Sequence, residues 1–191
     1  MKNIRSNIIA AGILCLSLGM TSCTKGFLDV ESKTESTTGN FYKTEQDAYR
    51  ALLGCYDGYR RATCGSAVNF LVSAEVMGYE CFGGSGASDG NGMRVTDRFD
   101  LSEMPSSTGS SWSGYYAGIY RCNELITREN SIQWNETGSM HTQYMAECHA
   151  IRAFLYFDVV RQFGNIPLLT KPTDENIPQA DPADVYLSLI H

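Results

Sequence analysis

The sequence predicts an all-α protein built from paired helices. Apolar residues recur at helical spacing in three long segments, which begin near Thr44, Trp112 and Ser139. Residues that start and stop helices stand at the ends of these segments. Asp47 follows Thr44 by three residues, as in a capping box, and Gly164 follows the third segment. We therefore expect long helices separated by loops.

Residues 1–22 have the organisation of an export signal. Two basic residues precede an uncharged stretch of 11 residues, Ile8–Leu18, which falls short of the roughly 20 residues that span a bilayer. The segment that leads to Cys23 resembles the lipobox of bacterial lipoproteins, although Met20 stands where leucine is usual. We expect a lipoprotein signal peptide and a lipid on Cys23. The alternative is an ordinary secretory signal with a chance cysteine.

The next segment is polar, and the first helices follow it. Residues 23–40 are rich in Ser, Thr and Gly, and we interpret them as a tether to a helical domain over residues 41–191. The first helix is capped by Thr44 and should end between Ala62 and Gly65. A second helix, with a weaker apolar period, is expected from about Val68 to Tyr79.

Residues 81–111 are predicted to form a long loop. Six glycines and Pro105 oppose regular structure there. Loops of this length in a compact domain are usually functional or disordered. This loop is therefore the first place to look for binding residues.

Two strong helices are predicted after the loop. The expected buried face of the first consists of Trp112, Tyr116, Ile119, Tyr120, Asn123 and Ile126. The second should begin at Glu136 or Ser139 and run to about Phe163. Its expected buried stripe consists of Ala146, Ala150, Ala153, Phe154, Phe157 and Val160. Small alanines that face large aromatic residues allow helices to pack closely.

A last helix is predicted at the end of the sequence. Asp181 is its cap and Pro182 its first helical residue. Its apolar residues, Val185, Tyr186 and Leu189, would need a partner that the remaining sequence does not supply. We therefore expect the N-terminal part of a longer protein, truncated at the C-terminus. The alternative is a complete small domain with a frayed last helix.

The net charge of −6 argues against one class of partner. Loss of the signal peptide would remove Lys2 and Arg5, which leaves a charge near −8 and no basic cluster. Phosphate contacts need a high density of Lys and Arg. Nucleic acid is therefore not expected as a partner.

Seven cysteines are present. Cys15 would leave with the signal and Cys23 would carry lipid, so an odd number remains that cannot all pair. Because no CxxC spacing occurs, neither a disulfide scaffold nor a zinc knuckle is expected. Most of the remaining thiols should be small buried apolar residues. One bridge, such as Cys64 to Cys81, stays open for an exported protein.

Four segments together resemble one family. They are Ser22-Cys23 with Phe27-Leu28-Asp29; Phe41-Tyr42 with Asp47-Ala48 and Leu52 to Tyr56; Trp112-x-x-x-Tyr116-x-x-Ile119-x-Arg121-x-Asn123; and Glu147-x-x-x-Ile151-Arg152-Ala153-x-x-Tyr156-Phe157 with Phe163 to Leu168. This pattern looks like the N-terminal region of SusD/RagB-type outer-membrane lipoproteins. The resemblance covers the whole chain, weakly between residues 81 and 111.

The resemblance implies tetratricopeptide-like antiparallel helix pairs with long loops. It also implies an outward-facing lipoprotein of the cell outer membrane, which captures glycans or peptides and passes them to a SusC-like TonB-dependent transporter. Such proteins bind their ligands without catalysis, so neither enzymatic activity nor a cofactor is expected. One alternative is a helical-repeat lipoprotein adaptor that binds only protein or peptide. Another is a lipid-anchored glycoside hydrolase.

The predicted loop offers groups suited to sugar capture. Sugar binding combines planar aromatic rings, which stack on pyranose faces, with Asp, Asn and Arg, which exchange hydrogen bonds with hydroxyls. The candidate glycan-binding residues are Asp89, Asn91, Arg94, Asp97 and Arg98. The alternative is a solvated surface loop.

The remaining polar and aromatic residues of the helices are interpreted as structural. The aromatic face that begins at Trp112 should pack in the core. Asn123 is expected to satisfy a buried backbone group. Arg152 is expected to pair with Asp158 or Glu147.

Signals for catalysis or metal binding are weak. His141 and His149 are two helical turns apart and do not make a metal pair without other ligands. Asp97, Asp100 and Glu103 could supply glycosidase carboxylates, but any acidic loop would meet that test. We therefore expect no catalytic residues and no metal site.

Overall fold

Helices account for most of the chain that the structure describes. The computed structural model describes residues 41–65, 70–84, 86, 91–100, 102, 104–135 and 138–189. Its α-helices are α1 (Glu45–Cys64), α2 (Phe70–Met77), α3 (Asn91–Asp97), α4 (Met104–Thr127), α5 (Ser139–Phe163) and α6 (Pro182–Ser188). A 3-10 helix spans Glu129–Ser131, and the short strands β1 (Ile166–Pro167) and β2 (Gln179–Ala180) pair antiparallel.

The predicted all-α class is therefore confirmed. The predicted signal peptide, the tether and Cys23 lie outside the described residues. Within the described part, none of the helices combines the length and apolar composition needed to cross a bilayer.

Helix α1 begins at the predicted cap. The Thr44 hydroxyl oxygen accepts a hydrogen bond from the Asp47 N–H at 3.2 Å, and the Asp47 carboxylate accepts one from the Thr44 N–H at 3.0 Å. This reciprocal arrangement satisfies donors that the helix itself leaves unpaired. The helix ends at Cys64, inside the predicted window.

The core lies between α1, α4 and α5. Buried side chains from these helices include Leu52, Cys55, Tyr115, Ile119, Cys122, Leu125, Cys148, Leu155 and Val159. A Cβ atom added to Gly58 of α1 would lie 3.0 Å from the Gly118 Cα of α4, and one added to Gly118 would lie 2.9 Å from the Leu155 Cδ1 of α5. Glycine at these two positions lets α1 and α4 approach closely at their crossing.

Arg121 ties α4 to α1 at the edge of this core. Its Nη1 atom donates to the Gly54 carbonyl oxygen at 2.9 Å and to Asp57 Oδ2 at 3.0 Å. Asp57 also accepts hydrogen bonds from Arg60 and Arg61. These guanidinium groups, Arg121 above all, lower the pKa of Asp57 to about 2.

The predicted buried stripe of α5 is wrong except at Val160. Ala146, Ala150, Phe154 and Phe157 are exposed, and Ala153 is half-buried. The residues that face the core are Met145, Cys148, Ile151, Leu155, Tyr156, Val159 and Val160. Because both faces of α5 are apolar, its helical period alone does not say which of them is buried.

Helix α4 begins at Met104 and not at Trp112. Pro105 is compatible with this start, because the first turn of a helix leaves its N–H groups without partners. Tyr115 is fully buried, whereas Tyr120, predicted to be buried, is 52% exposed. The buried face is rotated because α4 packs against α1 on one side and α5 on the other.

The glycines suggested that the segment 81–111 is one continuous loop, and this prediction is wrong. The segment contains α3 and the first part of α4. Gly92 lies within α3 and Gly109 within α4. A single glycine costs a helix only about 1 kcal/mol relative to alanine, which neighbouring contacts can offset.

The chain that follows α5 is held by side chains of α4 and α5. Gly164 ends α5 with a φ of 73°. Asn123 Nδ2 donates to the Leu169 carbonyl oxygen at 2.7 Å, as expected for a residue that satisfies a buried backbone group. Tyr116 and Tyr156 donate to the carbonyl oxygens of Pro167 and Leu169, both at 2.8 Å.

Arg152 belongs to the same hydrogen-bond network. Its Nη1 atom donates to Asn123 Oδ1 at 2.9 Å and to the Thr170 carbonyl oxygen at 3.4 Å. The predicted pairing with Asp158 or Glu147 is therefore wrong, since Asp158 pairs with Arg161 at 2.7 Å. Arg152 still has the structural role that was expected of it.

Helix α6 begins as predicted. The Asp181 side chain accepts a hydrogen bond from the Ala183 N–H at 2.9 Å, with Pro182 at the first helical position. The expectation that its apolar face lacks a partner within the chain is wrong at Val185, which is fully buried. The Tyr186 ring also lies 6.2 Å from the Phe157 ring of α5.

The start of α1 is tied to the segment before α5. The Gln133 N–H donates to the Lys43 carbonyl oxygen at 2.9 Å. Asn135 donates to the Glu45 carboxylate from its backbone N at 3.3 Å and from Nδ2 at 2.8 Å. We call this set of contacts the α1 clamp.

Five cysteines lie among the described residues, and all five are free. Cys55, Cys122 and Cys148 are buried, as predicted for most of the thiols. Cys64 and Cys81 are exposed, and the bridge between them that the sequence left open is not formed.

Candidate functional site

Three exposed aromatic side chains lie at the junction of α2 and α3. Tyr79 is 81% exposed, Phe82 is 83% exposed and Phe99 is 42% exposed. The ring centroids of Tyr79 and Phe99 are 6.4 Å apart. We call these three residues the aromatic patch. Large apolar groups exposed together, and not singly, typically mark a binding surface.

Two helix ends position the patch. Tyr79 follows the end of α2 with a φ of 62°, and Phe99 follows the end of α3 with a φ of 50°. A left-handed residue after a helix is usually glycine, and another residue costs roughly 1–2 kcal/mol there. The same local conformation therefore presents an aromatic ring at the end of each helix, at an energetic cost in both places.

Gly83 lets the chain pass close to α3. A Cβ atom at this position would lie 2.5 Å from the Met93 carbonyl oxygen and 2.7 Å from Asp97 Cβ. The Gly83 N–H donates to Asp97 Oδ1 at 3.4 Å. Asp97 therefore holds the segment that carries Phe82 against α3.

The structure brings three of the five predicted glycan-binding residues together. Arg94, Asp97 and Arg98 are spaced along α3 and its end so that their side chains are neighbours on one face. Arg94 and Asp97 are half-buried, and Arg98 is exposed. Asn91 is the first residue of α3. Asp89 lies outside the described residues.

The two arginines leave cationic groups beside the aromatic patch. The ion pairs formed among the described residues do not include Arg94 or Arg98. Guanidinium groups can donate charge-assisted hydrogen bonds to a polar ligand. The surface thus combines flat apolar rings with strong donors.

Reasoning from the sequence missed the aromatic half of this surface. It selected polar residues of the segment and left out Tyr79, Phe82 and Phe99. The sequence did contain a signal, because aromatic residues flank a glycine-rich stretch on both sides. Few neighbours can bury a large side chain there. The positive φ angles of Tyr79 and Phe99 could not be inferred from residue type.

The carboxylates considered for hydrolysis have local structural partners. Asp97 accepts from Gly83, and Asp100 Oδ1 accepts from Ser102 N at 3.2 Å and from Ser102 Oγ at 2.6 Å. Glu103 lies outside the described residues. Both described carboxylates therefore accept hydrogen bonds from nearby groups of the chain.

The two helical histidines have different neighbours. His141 Nε2 lies 2.6 Å from Glu129 Oε1, and its ring stacks on Trp134 with centroids 4.3 Å apart. Burial, followed by the charge of Arg152, lowers the pKa of His149. His149 and Arg152 also line a cavity of about 200 Å³ on α5, where Arg152 already serves the network with Asn123.

A family model matches residues 87–188 of this chain. It is the SusD-like family model described as starch-binding and associating with the outer membrane. The matched range is more than half of the chain and contains α3, α4, α5 and α6.

Two SusD-like proteins of Formosa agariphila are similar in sequence. One is 27% identical over 196 residues, which covers 100% of this chain and 36% of that protein. The other is 24% identical over 161 residues, which covers 76% of this chain and 28% of that protein. The chain thus spans about a third of the length of these relatives.

Two solved structures are similar over about four fifths of this chain. A laminarin-binding SusD-like protein is 35% identical, with a TM-score of 0.65, over 78% of this chain and 32% of that chain. A SusD homolog from Bacteroides thetaiotaomicron is 24% identical, with a TM-score of 0.60, over 83% of this chain and 31% of that chain. The second likeness concerns the fold alone.

Proposed function

Because this chain belongs to the SusD-like family of starch-binding proteins that associate with the outer membrane, we propose that it captures glycans with the aromatic patch and the adjacent face of α3. The observation that carries the proposal is the pair of exposed rings of Tyr79 and Phe99, whose centroids are 6.4 Å apart. The laminarin-binding relative supports a glycan as the ligand class.

The arrangement suits a sugar ring in two ways. The C–H face of a pyranose is apolar and stacks on an aromatic ring, while its hydroxyls need hydrogen-bond partners. Tyr79 and Phe99 supply the rings, and Arg94 and Arg98 supply charge-assisted donors. Because helix ends fix the backbone of both residues, ligand binding orders only their side chains.

The proposal extends to the way in which the protein is held and used. Residues 1–22 direct export, Cys23 carries the lipid, and residues 23–40 connect the membrane to the helical domain at 41–191. The protein faces outward and delivers its glycan to a SusC-like TonB-dependent transporter. The family description as a protein that associates with the outer membrane supports this placement.

A protein-binding adaptor is the second candidate, and one observation favours it. The exposed face of α5 is apolar, with Phe154 60% exposed and Phe157 38% exposed. Ala150 and Ala153 lie beside these rings. An exposed apolar face of this kind can accept a peptide or another protein.

Calorimetric titration with a panel of polysaccharides that includes laminarin and starch separates the two candidates. The parent protein is compared with a variant that carries Tyr79→Ala and Phe99→Ala. Tyr120→Ala is the matched control, since Tyr120 is 52% exposed but lies on α4. We expect binding to weaken by more than about tenfold in the double variant, because both rings on which the sugar would stack are removed. The control should bind as the parent does.

Other outcomes would contradict the proposal. Equal affinities for the parent and the double variant would place the glycan elsewhere. An absence of heat across the panel, together with a stable complex with the transporter, would favour the adaptor. Release of reducing sugar that is lost in Asp97→Asn or Asp100→Asn would favour a hydrolase.

A further inference from the structure

Three buried thiols meet in the core, one from each of α1, α4 and α5. Cys55, Cys122 and Cys148 are all 0% exposed. Their Sγ atoms lie within 4.8 Å of one another, and those of Cys55 and Cys148 are 3.9 Å apart. The Cys148 thiol also donates to the Cys122 carbonyl oxygen at 3.6 Å. Glycan capture at α3 makes no use of this cluster.

The separation of the sulfur atoms fits a three-coordinate centre. Sulfur ligands bind zinc at about 2.3 Å, and three sulfurs at about that distance from a pyramidal three-coordinate centre, with bond angles of roughly 100°, would be about 3.5 Å apart. The sulfur atoms therefore need to move by less than about 1 Å to reach this geometry. Thiolate ligands select soft, thiophilic ions.

Charge discriminates among such ions. Three thiolates around a monovalent or divalent ion leave a net negative charge, which is costly to bury. The surrounding core is apolar and includes Leu52, Ile119 and Ile151. A trivalent centre leaves a neutral complex, which this environment accepts.

We infer that Cys55, Cys122 and Cys148 form a binding site for trivalent arsenic, taken up as uncharged arsenous acid. The reaction is a condensation of As(OH)3 with three thiols. Three As–S bonds form, three As–O and three S–H bonds break, and each hydroxyl leaves as water. Charge is zero on both sides and arsenic stays trivalent, so no oxidant is required. Transient local opening of the helices admits a reagent of this size.

Occupation of the site would join three helices that otherwise make only non-covalent contacts. Because the bound state exists only in the folded protein, ligand binding should stabilise the fold. The predicted signature is therefore a raised midpoint of thermal unfolding when arsenic is bound.

The test uses the complete chain, reduced and then freed of reductant, with sodium arsenite as the probe. Native mass spectrometry should show one arsenic bound with the loss of three protons. Alkylation in denaturant followed by peptide mapping should find Cys55, Cys122 and Cys148 protected, while Cys64 and Cys81 react.

Two variants locate the site. Cys122→Ala removes one ligand and should weaken arsenic binding by more than about tenfold. Cys64→Ala is the matched control, since Cys64 is exposed, and should bind as the parent does. Circular dichroism shows whether Cys122→Ala is folded. If it is not, the peptide mapping of the parent protein tests whether the three thiols bind arsenic.

Three results would overturn the inference. They are an absence of bound arsenic, an affinity of Cys122→Ala equal to that of the parent, and a disulfide between any two of the three thiols in protein isolated without reductant.

Discussion

Tyr79 and Phe99 occupy equivalent positions at the ends of two helices, and their ring centroids are 6.4 Å apart. Both residues have a left-handed backbone, with φ angles of 62° and 50°. Glycine would relieve this conformation in either place. The stability of the fold therefore favours glycine at these two positions. Presentation of the rings requires an aromatic residue at the same positions.

Tyr79→Gly should separate these two demands. We expect its free energy of unfolding to rise by up to about 1 kcal/mol, because the left-handed conformation no longer strains a Cβ atom. Glycan binding should weaken, because the 81% exposed ring is lost. Urea denaturation and calorimetry measure the two effects. Tyr79→Phe is the control and should change neither by much. A Tyr79→Gly protein less stable than the parent would contradict the claim that the left-handed backbone is strained at this position.

Gly83→Ala should disturb the surface through the backbone. Its Cβ atom would lie 2.5 Å from the Met93 carbonyl oxygen, and overpacking of this kind costs about 1–3 kcal/mol. Gly54→Ala is the matched control, since nothing lies within 4 Å of its added Cβ atom. That change should stabilise α1 by about 0.5–1 kcal/mol. Chemical denaturation of both variants measures the free energy of unfolding, which should fall in Gly83→Ala and rise in Gly54→Ala.

Asn123→Ala should destabilise the chain that follows α5. The change removes the donor to the Leu169 carbonyl oxygen and the acceptor for Arg152. Loss of buried hydrogen-bond partners costs about 1–3 kcal/mol. Asn176→Ala, in an exposed part of the chain, should change the free energy of unfolding by less than about 0.5 kcal/mol. Equal effects of the two variants would show that the network contributes nothing.

Asp57 should make stability depend on pH in the acid range. Its pKa in the folded protein is about 2, below the value of about 3.9 for an unfolded chain. A lowered pKa contributes stability that is complete above about pH 4 and is lost as the pH falls towards 2. Asp57→Asn should therefore be less stable than the parent at pH 7, and the difference should shrink between pH 4 and pH 2. Urea denaturation at several pH values tests this, with Asp174→Asn as the control.

Cys23→Ala should release the protein from the membrane. One acyl chain gives only marginal anchoring, and each buried CH2 contributes about 0.8 kcal/mol, so the modified cysteine would supply most of the affinity. Fractionation followed by a carbonate wash measures the release, and Cys64→Ala is the control. Retention of the Cys23 variant in the washed membranes would contradict a lipid at this residue.

Helix positions could be predicted from the sequence where local chemistry specifies them. The Thr44 cap, the Gly164 stop and the Asp181-Pro182 start depend on residues close together in the chain. Each interaction is complete within one helical turn. The structure agrees with all three predictions for that reason.

The choice of buried face could not be predicted in the same way. Cys148, Ile151 and Leu155 recur along α5 at helical spacing, but so do the exposed residues Ala150 and Phe154. Only contact with α1 and α4 distinguishes the two stripes. The aromatic patch was missed for a related reason, since its exposure depends on how α2 and α3 meet.

The α1 clamp has a mechanical consequence. A force applied through the chain that precedes Phe41 would reach Lys43 and Glu45 before the rest of α1. Their bonds to Gln133 and Asn135 connect that point to the segment before α5. The first load would therefore fall on these hydrogen bonds, before it reached the later turns of α1. Single-molecule extension from the N-terminal side should accordingly require a higher rupture force in the parent protein than in Asn135→Ala.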